Sequence, residues 1–149
     1  MHQIRDWLTI SNYGLASNED YIRKEGFGAM LQLHRPIVLP GIETLYLAMR
    51  DGEAIAHTDI ASAVTFVQDH HTAGEKVLIT CGAGVSRSVT MAIAALKAIE
   101  GGDLETIYRD VRVHHPEALP DQVHWDSICA YFGETVSFWE LWSRIMLEG

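Results

Sequence analysis

Eight consecutive residues, Cys81-Gly82-Ala83-Gly84-Val85-Ser86-Arg87-Ser88, gather a thiol, two glycines, two hydroxyls and a guanidinium. They lie between a short apolar run at 77–80 and a longer stretch, 88–99, that is apolar nearly all round. A strand, a tight glycine-bearing loop and a helix N-terminus in that order form a cradle for an anion. Backbone N–H groups converge there, and the helix dipole adds about half a positive charge. Glycine at 82 and 84 permits positive φ and keeps side chains off the bound group. A cysteine at the head of such a cradle feels a field that favours thiolate, and comparable sites lower a thiol pKa from about 8.5 to roughly 3.5–7.5. The planar fork of Arg87 can take two oxygens of a phosphate. Thiolate, amides and guanidinium around one tetrahedral anion suit in-line attack on phosphorus and a cysteinyl-phosphate intermediate.

The rest of the chain must hold those groups in place. Four short apolar runs, at 7–10, 29–33, 44–49 and 77–80, read as strands, and the last is apolar on both faces, as a central strand would be. Asn18 can cap a helix closed by Gly26, and Thr58 one that carries Ile60, Val64 and Val67. Asp103 and Asp121 can cap two more, with Leu104, Ile107, Tyr108 and Val111 on one stripe and Trp125, Ile128, Cys129 and Phe132 on the other. A last helix from Thr135 would put Phe138, Trp139, Trp142, Ile145 and Met146 on one side. The pattern predicts a single compact α/β domain over residues 1–149, with a central, mostly parallel sheet of about four or five strands covered by helices on both faces. In such sheets ligands bind at the carboxyl ends of the strands. Parallel strands would bring His34-Arg35, Arg50-Asp51 and Cys81 to one edge.

Composition narrows the partners. A chain of 149 residues that is 48% hydrophobic fits one domain with a sizeable core. Eleven basic against twenty acidic side chains leave a charge of −9, which disfavours a general nucleic-acid binder yet leaves room for a small anion in a local positive pocket. No run is long enough for a membrane span, the N-terminus lacks the apolar stretch of a secretory signal, and two cysteines make no disulfide framework. A cytoplasmic protein without a membrane partner is expected. The histidine pairs His70-His71 and His114-His115 put neighbours on different faces of a helix, so neither metal nor cofactor is expected.

The segment from Cys81 to Ser88 resembles the Cys-x5-Arg-Ser/Thr signature of the protein tyrosine phosphatase superfamily, and its AGVSRS form is similar to small atypical dual-specificity phosphatases. Leu8-Thr9-Ile10-Ser11 resembles the family's first strand, Leu45 to Asp51 the strand leading to its general acid, and Arg112 to Pro120 the loop before a late helix. The resemblance implies Cys81 as nucleophile, Arg87 as phosphate clamp and Ser88 as hydrogen-bond donor to the sulfur. It implies Gly82, Ala83, Gly84, Val85, Ser86 and Arg87 as the phosphate-binding loop. Asp51 would be the general acid, protonated beside a bound dianion, and then the base that activates water. Residue 80 is Thr where the family usually has His, and Asp121 stands where Asn is common. The Thr leaves the degree of thiolate activation open, and the Asp bears on support of the pocket wall.

Asp51-Gly52 is also an ordinary turn pair, and Glu53 or Asp59 could supply the proton instead. His34 and Arg35 read as substrate contacts or as a solvated loop. Cys129 and the tryptophans read as core, and exposure of Trp139 and Trp142 would favour a partner site. Expected substrates are phosphotyrosine and phosphoserine or phosphothreonine in proteins or peptides. Residues 82–86 carry no lysine of the kind inositide phosphatases add, and the acidic balance weighs against RNA 5′-phosphates. A sulfurtransferase, an arsenate reductase and a silent phosphoprotein-binding module are the rivals. A monomer is expected, with a dimer through the C-terminal Trp-bearing helix as the alternative.

Overall fold

The computed structural model describes residues 1–148. A parallel core of four strands, β2 (Leu8–Asn12), β3 (Phe27–Gln32), β4 (Glu43–Tyr46) and β5 (Lys76–Cys81), is extended by β1 (His2–Arg5), which pairs antiparallel with β2. The order across the sheet is β1-β2-β5-β3-β4, so β5 lies in the middle. Its residues 77 to 81 are all buried, which accounts for a run that is apolar on both faces. Registers of Asn12 with Cys81, Thr80 with Gln32, and Gln32 with Tyr46 align the carboxyl ends of the four parallel strands along one edge.

Helices cover both faces. On the smaller side α1 (Tyr13–Ala16), α2 (Glu19–Glu25) and the loop at 37–42 pack Ala16, Ile22 and Leu39 on Met30 and Leu78. On the larger side lie α3 (His57–Thr72), α4 (Arg87–Glu100), α5 (Leu104–His114), α6 (Gln122–Phe132) and α7 (Phe138–Glu148). Helix α4 is buried without a break from Arg87 to Leu96, as a helix inside the fold requires. The expected caps form at Asn18, Asp103 and Asp121, whose side chains accept from Tyr21, Thr106 and Val123 N–H, each worth about 1 kcal/mol. Gly26 and Gly133 close their helices in the left-handed conformation.

Four details depart from the sequence pattern. Thr58 does not cap α3: the helix starts two residues earlier than that cap would place it, at His57, with Ala56 at the cap, no side-chain bond there, and Ile55 buried just before it. Helix α7 starts at Phe138 rather than Thr135, since the Val136 carbonyl accepts the Trp125 indole N–H at 2.8 Å. Its buried face runs Phe138, Leu141, Trp142 and Ile145, which turns Trp139 (70% exposed) and Met146 away from the core. The pairs β1 and α1 are additions. In β1 only Ile4 is buried, and its place depends on Arg5 reaching Glu100 and Asp110 on distant helices, at 2.9 and 2.7 Å.

Candidate functional site

The edge where the parallel strands end carries the loop 81–88, which is held from several elements. Gly82 carbonyl accepts Tyr13 N–H at 3.1 Å, Thr80 carbonyl accepts Leu33 N–H at 2.9 Å, and Val85 carbonyl accepts Leu119 N–H at 3.0 Å. Gly84 has φ of 75°, and a Cβ there would come within 2.9 Å of the Ser11 carbonyl carbon, so no side chain fits. Its carbonyl takes the Nε2–H of buried His115 at 2.8 Å, and the His2 ring stacks on His115 with centroids 3.6 Å apart. The resemblance put His before the cysteine. Thr80, fully inside, instead directs its hydroxyl to the Cys81 carbonyl at 3.4 Å, while His115 supplies an imidazole on the loop from another element.

Three donors surround the Cys81 sulfur. The N–H groups of Gly84 and Ser88 point at Sγ from 3.3 and 3.4 Å, and the Ser88 hydroxyl lies 3.1 Å away. A buried sulfur in a ring of donors is an arrangement that accepts negative charge. The other thiol, Cys129, on the apolar stripe of α6, is pushed up to about 11 by burial first and then by Glu134 and Asp126.

Arg87 links this loop to the segment after β4. Past Tyr46 the chain still follows β3, with Leu47 N–H on Gln32 carbonyl at 2.9 Å and Met49 N–H on Leu33 carbonyl at 3.2 Å. Arg87, 7% exposed, donates Nη1–H to the Met49 carbonyl at 2.8 Å. Its Nε sits 3.2 Å from Asp51 Oδ1 but off the N–H direction, so this buried donor has an ionic neighbour and no hydrogen bond. Asp51 is at the turn closed by Gly52, with its side chain 70% exposed. Asp51 is thus a turn residue, as its Asp-Gly pair suggested, and it faces Arg87. Glu53 reaches only Arg50, at 3.9 Å, and with Asp59 lines a smaller cavity that shares Ala48, Met49 and Arg50 with the cleft beside Asp51 but is not lined by Arg87.

Arg87 also walls a cleft of about 400 Å³ with His34, Tyr46, Ala48, Met49, Arg50 and Asp51. A Cβ on Gly82 would lie 3.0 Å from Arg87 Nη2 and 3.7 Å from His34 Nδ1, so the loop passes against that wall. His34 belongs to the cleft; Arg35 is exposed and does not line it. Two arginines on the wall give the cleft a local charge opposite to the chain's −9.

A family model described as "Dual specificity phosphatase, catalytic domain" matches residues 11–134. The chain belongs to that family. As a dual-specificity phosphatase domain it is 27% identical over 125 residues to dual specificity protein phosphatase 12 of Rattus norvegicus, covering 78% of this chain and 36% of that one. It is 29% identical over 125 residues to human dual specificity protein phosphatase 22, covering 81% of this chain and 67% of the relative. The chain thus spans about a third of the length of the first relative. The crystal structure of DUSP15 superposes with a TM-score of 0.82 at 21% identity, covering 97% of this chain and 96% of that one, which shows the fold.

Sequence reasoning placed the loop of this dual-specificity phosphatase domain and missed its supports. His124, His115 and Ser127 are buried polar residues touching the loop or its neighbour; His124 and Ser127 were not singled out, and His115 was weighed only as half of a histidine pair and as part of the stretch before a late helix. One signal was there for His124: it extends the 125, 128, 129, 132 stripe of α6 by one helical step, and a histidine on an apolar stripe needs buried partners. Asp121 caps α6 with its carboxylate and supports the pocket through its backbone, donating N–H to Ser86 Oγ at 2.8 Å. Among the described residues no helix is long and apolar enough to cross a membrane.

Proposed function

We propose that residues 1–149 act as one catalytic domain, a cysteine-dependent phosphatase that hydrolyses phosphotyrosine and phosphoserine or phosphothreonine esters of proteins and peptides. The observation that supports it most is the donor ring around Cys81 Sγ beside the buried Arg87 fork, whose Nε–H lacks a hydrogen-bond acceptor. In the first step Cys81 sulfur attacks phosphorus; the S–P bond forms as the P–O ester bond breaks, and the departing oxygen takes the Asp51 proton. In the second, water attacks phosphorus and gives its proton to Asp51. The S–P bond breaks, inorganic phosphate leaves, and the Ser88 hydroxyl meets the returning charge on sulfur. Loop amides and Arg87 hold the equatorial oxygens throughout.

The exposed position of Asp51 and the cleft beside it favour esters that project from a protein surface, alkyl as well as aryl. A loop without lysine at 82–86 argues against multiply phosphorylated rings. A silent binding module would need neither a proton donor nor a hydroxyl at the sulfur. The test is hydrolysis of p-nitrophenyl phosphate in EDTA by the native chain and by Cys81→Ser. Turnover independent of metal and reduced at least about 10³-fold in the variant is expected. Turnover that needs metal, or that survives the substitution, contradicts the proposal.

A further inference from the structure

Helix α6 meets the segment around Asp51 with two polar side chains one turn apart. His124 has no exposed surface; its Nε2 lies 3.1 Å from the Arg50 carbonyl and its Nδ1 3.1 Å from Ser86 Oγ. A carbonyl oxygen only accepts, so Nε2 carries the proton. Ser86 Oγ already accepts the Asp121 N–H, at 2.8 Å, which leaves its own proton to donate to Nδ1. A neutral ring thereby satisfies every polar atom in a chain that runs from the phosphate loop to the carbonyl just before Asp51. Three residues on, Ser127 Oγ accepts the Ile55 N–H at 3.0 Å and donates to the Val123 carbonyl at 2.8 Å. One face of α6 therefore holds the segment on both sides of Asp51.

From the other side Arg87 holds the Met49 carbonyl at 2.8 Å and lies 3.2 Å from Asp51 Oδ1, and the segment has few contacts besides these. Residues 50 to 54 are exposed, and the Glu53 N–H closes the turn on Arg50 carbonyl at a long 3.3 Å. The Arg50 carbonyl shares a rigid plane with the Asp51 N–H, so aiming the carbonyl sets the direction in which Asp51 leaves the chain.

We propose that His124 is a positioning residue: by donating Nε2–H to the Arg50 carbonyl while Nδ1 accepts from Ser86, it sets the Asp51 carboxyl relative to the phosphate loop. The proposal rests on the reading of Asp51 as proton donor. The side-chain amide of Asn can replace Nδ1 but falls short of Arg50, whereas the longer Gln can bring an N–H toward the Arg50 carbonyl.

The experiment measures kcat and KM for His124→Asn, His124→Gln and Asp51→Asn on p-nitrophenyl phosphate and on a phosphoserine peptide, with inhibition by inorganic phosphate as the readout of the loop. His124→Asn should lower kcat on the peptide by roughly 10- to 100-fold, and on the aryl ester by no more than about threefold, since an offset near 1 Å can cost about 10²-fold. Phosphate inhibition should stay as in the native chain, and His124→Gln should recover most of the loss. Equal losses on both substrates, no loss at all, or no recovery by Gln would overturn the proposal. Should His124→Asn fail to fold, the imidazole nitrogen spectrum of the native chain decides. A ring with a slowly exchanging Nε2–H and an unprotonated Nδ1, absent in His124→Gln, supports the proposal; a doubly protonated or freely exchanging ring there overturns it. Asp51→Asn separates the two readings. If it too hits both substrates equally, the proton-donor assignment falls; if only it discriminates, the positioning role alone falls.

Discussion

The two halves of the site are built in opposite ways. The loop 81–88 is continuous in sequence, starts in the central strand, ends in a buried helix, and has Cys81, Gly84, Arg87 and Ser88 buried. The segment carrying Asp51 is exposed from Arg50 to Ala54, with only Met49 and Ile55 buried at its flanks. It is held by Arg87 on the Met49 carbonyl and by His124 and Ser127, each over 70 residues away in the chain, on Arg50 and Ile55. The loop is laid out by its own strand and helix and only braced from Tyr13, His115 and Leu119, whereas the Asp51 segment depends on braces from remote helices.

The sharpest way to break that contrast uses two glycines with nearly equal φ, 75° at Gly84 and 77° at Gly52. At Gly84 an added Cβ meets the Ser11 carbonyl carbon at 2.9 Å; at Gly52 it meets nothing within 4 Å. Gly84→Ala should cost about 3 kcal/mol or more, from left-handed strain plus a backbone overlap, and should abolish turnover. Gly52→Ala should carry the strain alone, about 1–2 kcal/mol, and leave a folded enzyme. Chemical denaturation compares the two, and equal losses would erase the distinction.

A smaller effect sharpens the same contrast between designed and incidental chemistry. Cys129, with its thiol pushed up to about 11, holds only about one thiolate in a thousand at pH 8. Its reactivity should therefore rise about tenfold per pH unit through neutrality and stay far below that of the sulfur in the donor ring. Timed alkylation with iodoacetate and peptide mapping should show Cys81 modified at least about 10²-fold faster than Cys129 in the native chain, with the difference lost in denaturant. Comparable native rates would show that the ring of donors does nothing for Cys81.

What the sequence disclosed follows the same division. The loop could be read because its strand, glycines, arginine and helix are adjacent, and Asn18, Asp103 and Asp121 could be read because a cap acts within one turn. The parallel strands and the central place of β5 could be read from short apolar runs alternating with helical periods, whereas the order of the other strands across the sheet could not. The residues that went unread act at a distance. His124 reaches Ser86 across 38 positions, His115 reaches Gly84 across 31, and Arg5 secures β1 through a helix 95 residues away. The apolar stripe of α6 can mark His124 as buried, but nothing local names its partners or those of His115 and Arg5, because a hydrogen bond between remote elements exists only once both are packed. Trp139 failed for a related reason: the aromatics of α7 look alike in sequence, and only the 138, 141, 142, 145 face finds a neighbour.

Covalent trapping tests the central claim most directly. A phosphopeptide radiolabelled in its phosphoryl group is mixed with the Ser88→Ala chain, in which breakdown of the cysteinyl phosphate is slowed and its formation is spared, then quenched within milliseconds and digested. The label should reside as a thiophosphate ester on the peptide that begins its loop with Cys81, and it should vanish in the Cys81→Ser chain. Label on any other residue, or steady release of phosphate with no label on protein at any time, would contradict the account.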